Sequence, residues 1–457
     1  MIFFDVSAGD TAWVLISAAL VFLMTPGLAL FYGGMCRANS ALNMMMMCFS
    51  TMAIVGVLWV LYGYGIAFGE DVGGGLLGDP SGLFGLTGLF GGGESGAGVL
   101  LPIGDEGTLP AMAFVAFQSA FAIITVALIS GAVADRMKFS AWMVFAAVWA
   151  TLVYFPAAHW VFAFDGFAAE KGGWIANIVG AIDYAGGTAI HINAGAAGLV
   201  LALVLGKRIG FGQRPMRPHN MTMVMLGAAL LWFGWFGFNA GSALGANWHA
   251  ATVWVTTLAA TGAAVLGWLV TERVRDGHFT TLGAASGAVA GLVAITPACS
   301  SVSPVGAIAI GVIAGALCCL AVPLKYKLGY DDSLDVVGVH LVGGLVGTLL
   351  VGFFAVESAP AGVAGLFDGG GFGQLGRQAV GAFAVLAYSA IVTALIAFAL
   401  KAIMPIRVDP KSELRGVDLA EHAEVGYDLS NVRYSAFRGG VTHHIVIPTE
   451  EKVPEHV

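Results

Sequence analysis

The chain has 457 residues, of which 58% are hydrophobic and only 11% charged, with a net charge of −8 and a mean hydropathy of +0.85. A soluble domain carries about 25% charged residues, so an ordinary soluble globular protein is excluded, and the acidic balance gives no reason to expect a nucleic-acid partner. Apolar stretches of roughly 20 residues, long enough to cross a hydrocarbon core of about 30 Å, recur from Thr11 to Met404. The composition is that of an all-α polytopic membrane protein surrounded by lipid.

Taken in order, spans are expected near residues 11–33, 41–69, 109–134, 140–163, 184–206, 220–241, 250–272, 281–297, 303–324, 334–356 and 377–404, which makes eleven. The first is preceded by Asp5 and Asp10 rather than a basic stretch, so no cleaved signal peptide is expected. The segment Glu70 to Gly107 is glycine-rich and lacks a GK[ST] ending, which reads as a flexible surface loop and not a phosphate cradle. Five cysteines show no metal-ligand spacing and read as small apolar residues; no metal and no cofactor are expected. The chain divides into a transmembrane domain, 1–404, and a polar tail, 405–457, too short for a fused catalytic domain.

Basic residues fall in alternate loops: Arg37, Arg136, Lys138, Lys207, Arg208, Arg214, Arg217, Arg273, Arg275, Lys325 and Lys327, joined by tail residues including Arg433, Arg438 and Lys452. Only Lys171 and Arg377 lie opposite. The positive-inside rule then expects the amino terminus outside and the carboxyl terminus in the cytoplasm.

Most of the ten histidines fall in loops or the tail, His249 among them, and His159 lies near the outer end of the fourth span. His191 and His340 are different. At 1.5 Å per residue His191 lies about 12 Å below the span entry at Asp183, and His340 is about equally deep from the other side. Around them "HINAGAAG" and "HLVGGLVG" share the pattern H-x-x-[AG]-G-x-x-G. Five spans separate the two copies, so they cross in opposite directions, as in an inverted five-helix repeat (spans 1–5 and 6–10) followed by an eleventh helix. The small residues at i+3, i+4 and i+7 let backbones approach closely. An ionisable group in hydrocarbon usually faces a cavity, a partner or an ion path. A bis-imidazole haem, and hence a membrane oxidoreductase, is compatible with two such histidines and stays open on this reading.

Outer approaches to the histidines are aromatic. "FQSAF" puts Phe117 and Phe121 on one face of the third span, and "LWFGWFGFNAGSA" carries Trp235, Phe238 and Ser242 towards the outer half of the sixth. Ring faces attract cations, and hydroxyl and carbonyl oxygens accept from a small N–H donor, which suits ammonium. A narrow apolar passage beyond would disfavour the charged form and let neutral ammonia through.

These blocks resemble the ammonium transporter (Amt/Mep/Rh) family. "DYAGGTAIHINAGAAGLVLALVLGKR", "MTPGLALFYGGM", "GAVADRMKFSAW", "DDSLDVVGVHLVGG" and "ELRGVDLAEHAEVGYD" are similar to family blocks in their usual order along the whole chain. The resemblance implies a bacterial or archaeal Amt-type homotrimer in the cell membrane, with a narrow pore in each subunit. It implies Phe121 and Phe238 as stacked gate rings, Phe117, Phe162, Ser242 and the Ala185 carbonyl at an outer recruitment site, and His191 and His340 as twin histidines sharing a hydrogen bond. Asp183 would cap the following helix and hold the recruitment backbone. In "AHWVFAFDG" Phe162 stands where many members have tryptophan, which weakens cation capture, and Trp160 lies on a different helix face. Arg415, Gly416, Asp418, His422 and Glu424 fall in the tail block at which a trimeric PII signalling protein can act, and "HAE" there replaces a common HGE.

The expectation is therefore a transporter and not an enzyme. It would recruit ammonium outside, deprotonate it near the Phe gate and pass ammonia along the twin histidines. The alternative readings are an ammonium sensor with little conduction and, from another class, the haem-binding oxidoreductase. A carbon dioxide pore is a lesser expectation.

Overall fold

The structure, a computed structural model, describes residues 6–89, 99–103, 107–214 and 216–427. The glycine run 91–93 and the tail residues Arg433, Arg438 and Lys452 lie outside them. Among the described residues ten helices are long and apolar enough to cross a membrane: α1 (Ala8–Met35), α2 (Ala38–Phe68), α3 (Ala111–Val133), α4 (Phe139–Phe162), α5 (Gly187–Leu205), α6 (Met221–Gly241), α7 (Trp248–Asp276), α9 (Pro304–Leu328), α10 (Val337–Phe354) and α11 (Gly373–Ile403). Between α7 and α9 lies α8 (Thr281–Ile295), apolar but only 15 residues long. It covers about 22 Å and gives way to the buried turns of residues 296–301. All eleven expected spans are present, the eighth as this shorter helix.

In hydrocarbon every backbone group needs an internal partner, so the helix ends carry the burden. Ser7, Asn220, Asn247, Thr280 and Ser303 each accept a backbone N–H in the first turn of α1, α6, α7, α8 and α9. His249, expected in a loop, lies in the first turn of α7, because the Asn247 cap starts the helix earlier than the apolar pattern does.

The inverted repeat is visible in paired elements. Helices α1 and α6, first in each half, pack along each other: a Cβ on Gly227 would lie 2.3 Å from the Phe31 nitrogen, and one on Gly34 2.7 Å from the Asn220 carbonyl. Helices α5 and α10, fifth in each half, both open with a wide π turn, at Gly187–Ile192 and Val337–Leu341. Each opening is preceded by a buried aspartate eight residues before the histidine, Asp183 and Asp332, whose carboxylate accepts backbone N–H groups of that turn. Across the crossing a Cβ on Gly195 would lie 2.5 Å from the Leu341 nitrogen, and one on Gly344 3.1 Å from the His191 Cβ. Glycine at these two points brings the helix backbones together and the imidazoles with them.

The segment after α2, expected as a flexible surface loop, is folded onto the helices over its described part. The Trp160 indole donates to the Leu76 carbonyl at 2.9 Å, Leu86 is buried, and strands β1 (Leu100–Ile103) and β2 (Gly107–Pro110) pair antiparallel. Gly75, at φ +91°, serves close approach: a Cβ there would lie 2.4 Å from the Trp174 nitrogen.

On the opposite face, which bears the basic loops, a buried charge cluster ties three connections together. Arg208 meets Asp135 at 2.9 Å and Asp331 at 2.8 Å, and Arg136, fully buried, donates to Ser333 Oγ and the Asp331 carbonyl. Burial pushes the Asp135 and Asp331 carboxyls up, but Arg208 outweighs it and, with Arg37 at Asp135 and Arg136 at Asp331, holds both below the usual carboxylate range. Both are thus ionised at neutral pH. Their contribution to stability is complete above about pH 4 and is lost as the pH falls through their lowered native values. Removing one partner of such a cluster leaves a buried uncompensated charge. Arg208→Met is therefore expected to cost about 3–5 kcal/mol, read as a large drop in the unfolding temperature of purified protein. Lys171→Met, at the exposed Asp165 pair, is expected to leave that temperature unchanged.

Candidate functional site

Three helices and the turn before α5 converge on a cavity at the face opposite the basic loops. Phe117 and Phe121 project from α3, Phe162 from the end of α4, and Ser242 from the residue just after α6. Together with Ala185 and Tyr184 they line a space of about 100 Å³. The Ser242 hydroxyl donates to the Phe238 carbonyl at 2.9 Å, which leaves its oxygen lone pairs available to accept. Trp160 points elsewhere, packed edge to face against Trp174 and at a tilt against Tyr388, and is not among the vestibule residues.

Gln118, Phe164 and Phe167 also line this space, and sequence reasoning missed them. A glutamine one residue after Phe117 in an otherwise apolar span was a usable signal. The two phenylalanines sit in a connecting segment whose path no periodicity gives.

At the floor of the vestibule the Phe121 and Phe238 rings stack, with centroids 4.3 Å apart and planes at 27°. Phe117 meets Phe121 edge to face at 4.8 Å. Beyond Phe238 lies a narrow space of about 10 Å³, lined by Leu28, Ile190, Trp235, His191 and His340, room for about one water-sized molecule. A second space of similar size, lined by Phe31, Tyr32, Ser286, Asp335 and again His340, continues towards the basic face.

The imidazoles of His191 and His340 are buried with their Nδ1 atoms 3.3 Å apart. Their ring centroids are 5.3 Å apart and their planes only 23° from parallel, so the rings meet through nitrogen edges and not face to face. One Nδ1 must donate and the other accept. The outer nitrogen of His191 has no hydrogen-bond partner. Trp235 lies flat against the His191 ring at 5.4 Å; its indole donates to Thr296 Oγ1 at 2.9 Å, and Thr296 in turn meets Asn239.

Asp183 lies beside this line and not in it. Its carboxylate accepts the backbone N–H groups of Gly186, Gly187, Thr188 and Ala189 and the Thr188 hydroxyl. Four amides on one carboxylate satisfy the start of α5 in full.

The geometry is unfavourable for haem. The two imidazoles face each other directly, Nδ1 to Nδ1 at 3.3 Å, leaving no room for a haem between them, and the adjoining spaces hold about one small molecule each. Among the described residues no group of three or more His, Cys, Asp or Glu could hold a metal ion.

Under the basic face the tail forms helices α12 (Pro410–Arg415) and α13 (Val417–His422), within the compact unit that runs to Gly426. Asp418 accepts the Leu42 and Asn43 amides at 3.1 and 2.7 Å, the Arg415 carbonyl accepts from Asn39, and His422 Nε2 lies 2.9 Å from Asn43 Oδ1. Gly416 packs so tightly that a Cβ would lie 2.7 Å from Asn39 Cβ. The Arg415 and Glu424 side chains are exposed. Ala423, in the "HAE" triplet, adopts φ +56°, a left-handed conformation that favours glycine.

Comparison with known proteins agrees with this arrangement. The Ammonium Transporter Family matches residues 12–427. An ammonium transporter of Mycobacterium tuberculosis is 66% identical over 435 residues, covering 92% of this chain and 91% of that one. The solved Mep2 structure from Candida albicans aligns with a TM-score of 0.80 at 32% identity, covering 94% of this chain and 95% of the other. The chain belongs to the ammonium transporter family. A structure described as a sensor Amt protein also aligns, with a TM-score of 0.80 at 29% identity, covering 91% of this chain and 98% of that one. As a member of this family the protein is a multi-pass membrane transporter and not an enzyme.

One test concerns the tail. A non-glycine residue in the left-handed region costs about 1–2 kcal/mol, so Ala423→Gly is expected to relieve the end of α13. The measurement is backbone amide exchange over residues 417–423, which should slow severalfold in the variant; unchanged or faster exchange would show that Ala423 carries no such strain.

Proposed function

We propose that the protein conducts ammonium-derived nitrogen inwards across the cell membrane, with ammonium captured in the vestibule, a proton lost near the Phe121–Phe238 stack, and ammonia passing the histidine pair. The observation that carries this reading is the single file of vestibule, stacked rings and paired imidazoles, wide and oxygen-lined at one end and apolar and one molecule wide beyond. In the vestibule the rings of Phe117, Phe121 and Phe162 offer cation–π faces, and Ser242 and the Ala185 backbone offer acceptors. Past the stack, hydration is stripped and none of the described residues lining the first narrow space carries a carboxylate to replace it, so the charged form is disfavoured and the neutral molecule proceeds. The imidazoles then exchange hydrogen bonds with ammonia along an otherwise apolar wall that includes Leu28, Ile190 and Trp235.

Asp183 in this reading is structural. By holding four amides it sets the backbone of Ala185 and the depth of His191. The family resemblance and the basic loops support an amino terminus outside, a cytoplasmic carboxyl terminus and a homotrimer in the cell membrane. They also support the division into a membrane domain, 1–404, and a regulatory tail, 405–457, at which Arg415, Gly416, Asp418, His422 and Glu424 would answer to a PII-type partner. The likeness to a sensor Amt protein supports a second reading, in which the same vestibule reports ammonium and conducts little.

Both readings are separated by ammonium-driven current across a solid-supported membrane bearing purified protein. A saturable current, lost or made unselective among monovalent cations by His191→Ala and by His340→Ala, is the expected result. Absence of current in the native protein, together with no ammonia-driven pH change in sealed vesicles, would favour the sensor. A second expectation concerns Phe162, which lines the vestibule where Trp160 does not. Phe162→Trp should lower the half-saturating ammonium concentration by about two- to fivefold, the equivalent of about 0.5–1 kcal/mol of cation–π energy, with little change in maximal current; a fall in maximal current alone would count against a recruitment role.

A further inference from the structure

His159 is fully buried on α4, three residues before Phe162. Its Nδ1 lies 3.0 Å from the Ala67 carbonyl, and because a carbonyl can only accept, Nδ1 carries a proton. Its Nε2 lies 3.4 Å from Asp71 Oδ1 without an aligned hydrogen bond. In the neutral ring that nitrogen turns a lone pair towards a carboxylate. In the protonated ring it turns an N–H, and the contact becomes a charge-assisted hydrogen bond. The charged groups that face the ring are Asp71 and Glu70. From α2 it meets the Ala67 carbonyl, and from the segment before α5 the Gly173 backbone packs on the His159 carbonyl; neither titrates.

Asp71 anchors the segment that braces the vestibule wall. Its carboxylate accepts the Gly73 amide at 3.2 Å; burial opposes its ionisation, but the Gly75 and Gly73 amides and the imidazole together hold it below the usual range. The same segment gives the Leu76 carbonyl to Trp160 at 2.9 Å and the Gly75 carbonyl to the Trp174 amide at 3.2 Å. Glu70 accepts the Glu170 and Lys171 amides at 2.8 and 3.0 Å. Between these ties run residues 163–173, which carry Phe164 and Phe167 into the vestibule beside Phe162.

We propose that His159 and Asp71 form a proton-linked clasp that positions this wall, so that ammonium binds more tightly as the medium on the vestibule side is acidified. They are positioning residues, acting through Phe162, Phe164 and Phe167, and the transport part of the inference rests on the function proposed above. By linkage, a proton that favours the binding conformation tightens ammonium by the factor by which ammonium tightens the proton.

Ammonium, like a lysine head group with its pKa of about 10.4, stays charged between pH 5 and 7.5, so a change in half-saturating concentration across that window reports the protein. In native protein it should rise about fivefold or more from pH 5 to 7.5. In His159→Asn, and independently in Asp71→Asn, which keeps the histidine, it should stay flat. A flat native profile, or a native-like rise in Asp71→Asn, would overturn the clasp and, in the second case, direct attention to another group such as His249. Amide exchange over residues 73–77 and 171–174, corrected for intrinsic rates, gives a readout that needs no transport: greater protection at pH 5 than at pH 7.5 in native protein, and none of that difference in Asp71→Asn. Equal protection at both pH values would equally overturn the clasp. Native protein without current at any pH would sink the transport reading, while exchange still decides the clasp.

Discussion

The structure depends on one constraint: polar groups in hydrocarbon must find partners inside the protein. Helices α5 and α10 begin deep enough to bring a histidine each to the centre, so their unpaired first-turn amides would lie buried. Asp183 and Asp332 answer this symmetrically, each eight residues before its histidine. Burial pushes Asp332 up to about 6, despite Lys325, whereas Asp183 is surrounded by amides and a hydroxyl. The same structural demand thus gives two aspartates with different surroundings, one beside the vestibule and one beside the charge cluster of the basic face.

From that anchoring follows the approach of the two imidazoles. Once the starts of α5 and α10 are held, the depth of each ring is set by helical rise, and their separation by how closely the helices cross. Gly195 against Leu341 leaves no room for a side chain, and Gly344 against His191 leaves little. The 3.3 Å between nitrogens is the residue of those contacts. Trp235, fixed through Thr296 and Asn239, closes the remaining side of His191. A wall built this way is stiff, which suits a passage whose width is a single small molecule.

Much of this was legible in the chain because lipid simplifies the code. Eleven apolar stretches, two buried histidines and the shared pattern around them needed only length, depth and spacing, and Phe121, Phe238 and Ser242 lie where helical spacing puts them. Other features were hidden for identifiable reasons. The end of α8 was obscured because the turns at 296–301 are themselves buried, so their composition reads as membrane. The π turns of α5 and α10 depend on the aspartate contacts and have no periodicity of their own. The Glu70–Gly107 segment looked flexible because glycine permits both mobility and close packing, and only the neighbour at 2.4 Å from a Gly75 Cβ distinguishes the two. Phe164 and Phe167 reach the vestibule through contacts distant in sequence.

The two faces of the bundle handle charge in opposite ways, and this bears on what each can do. At the basic face Arg208, Arg136, Asp135 and Asp331 are paired deep within the fold and continue through Arg407 and Glu413 into the tail at 2.7 Å, so a displacement of the tail is felt by a charge cluster and not by a loose loop. At the vestibule face charged residues, Asp71 and Glu70 among them, sit in the bracing segments, and the cavity itself presents rings and uncharged oxygens. A fixed carboxylate in the vestibule would hold any small cation. Rings and neutral acceptors hold a hydrogen-bonding cation weakly, so keeping the acids one layer behind the wall leaves the cavity without a fixed anion.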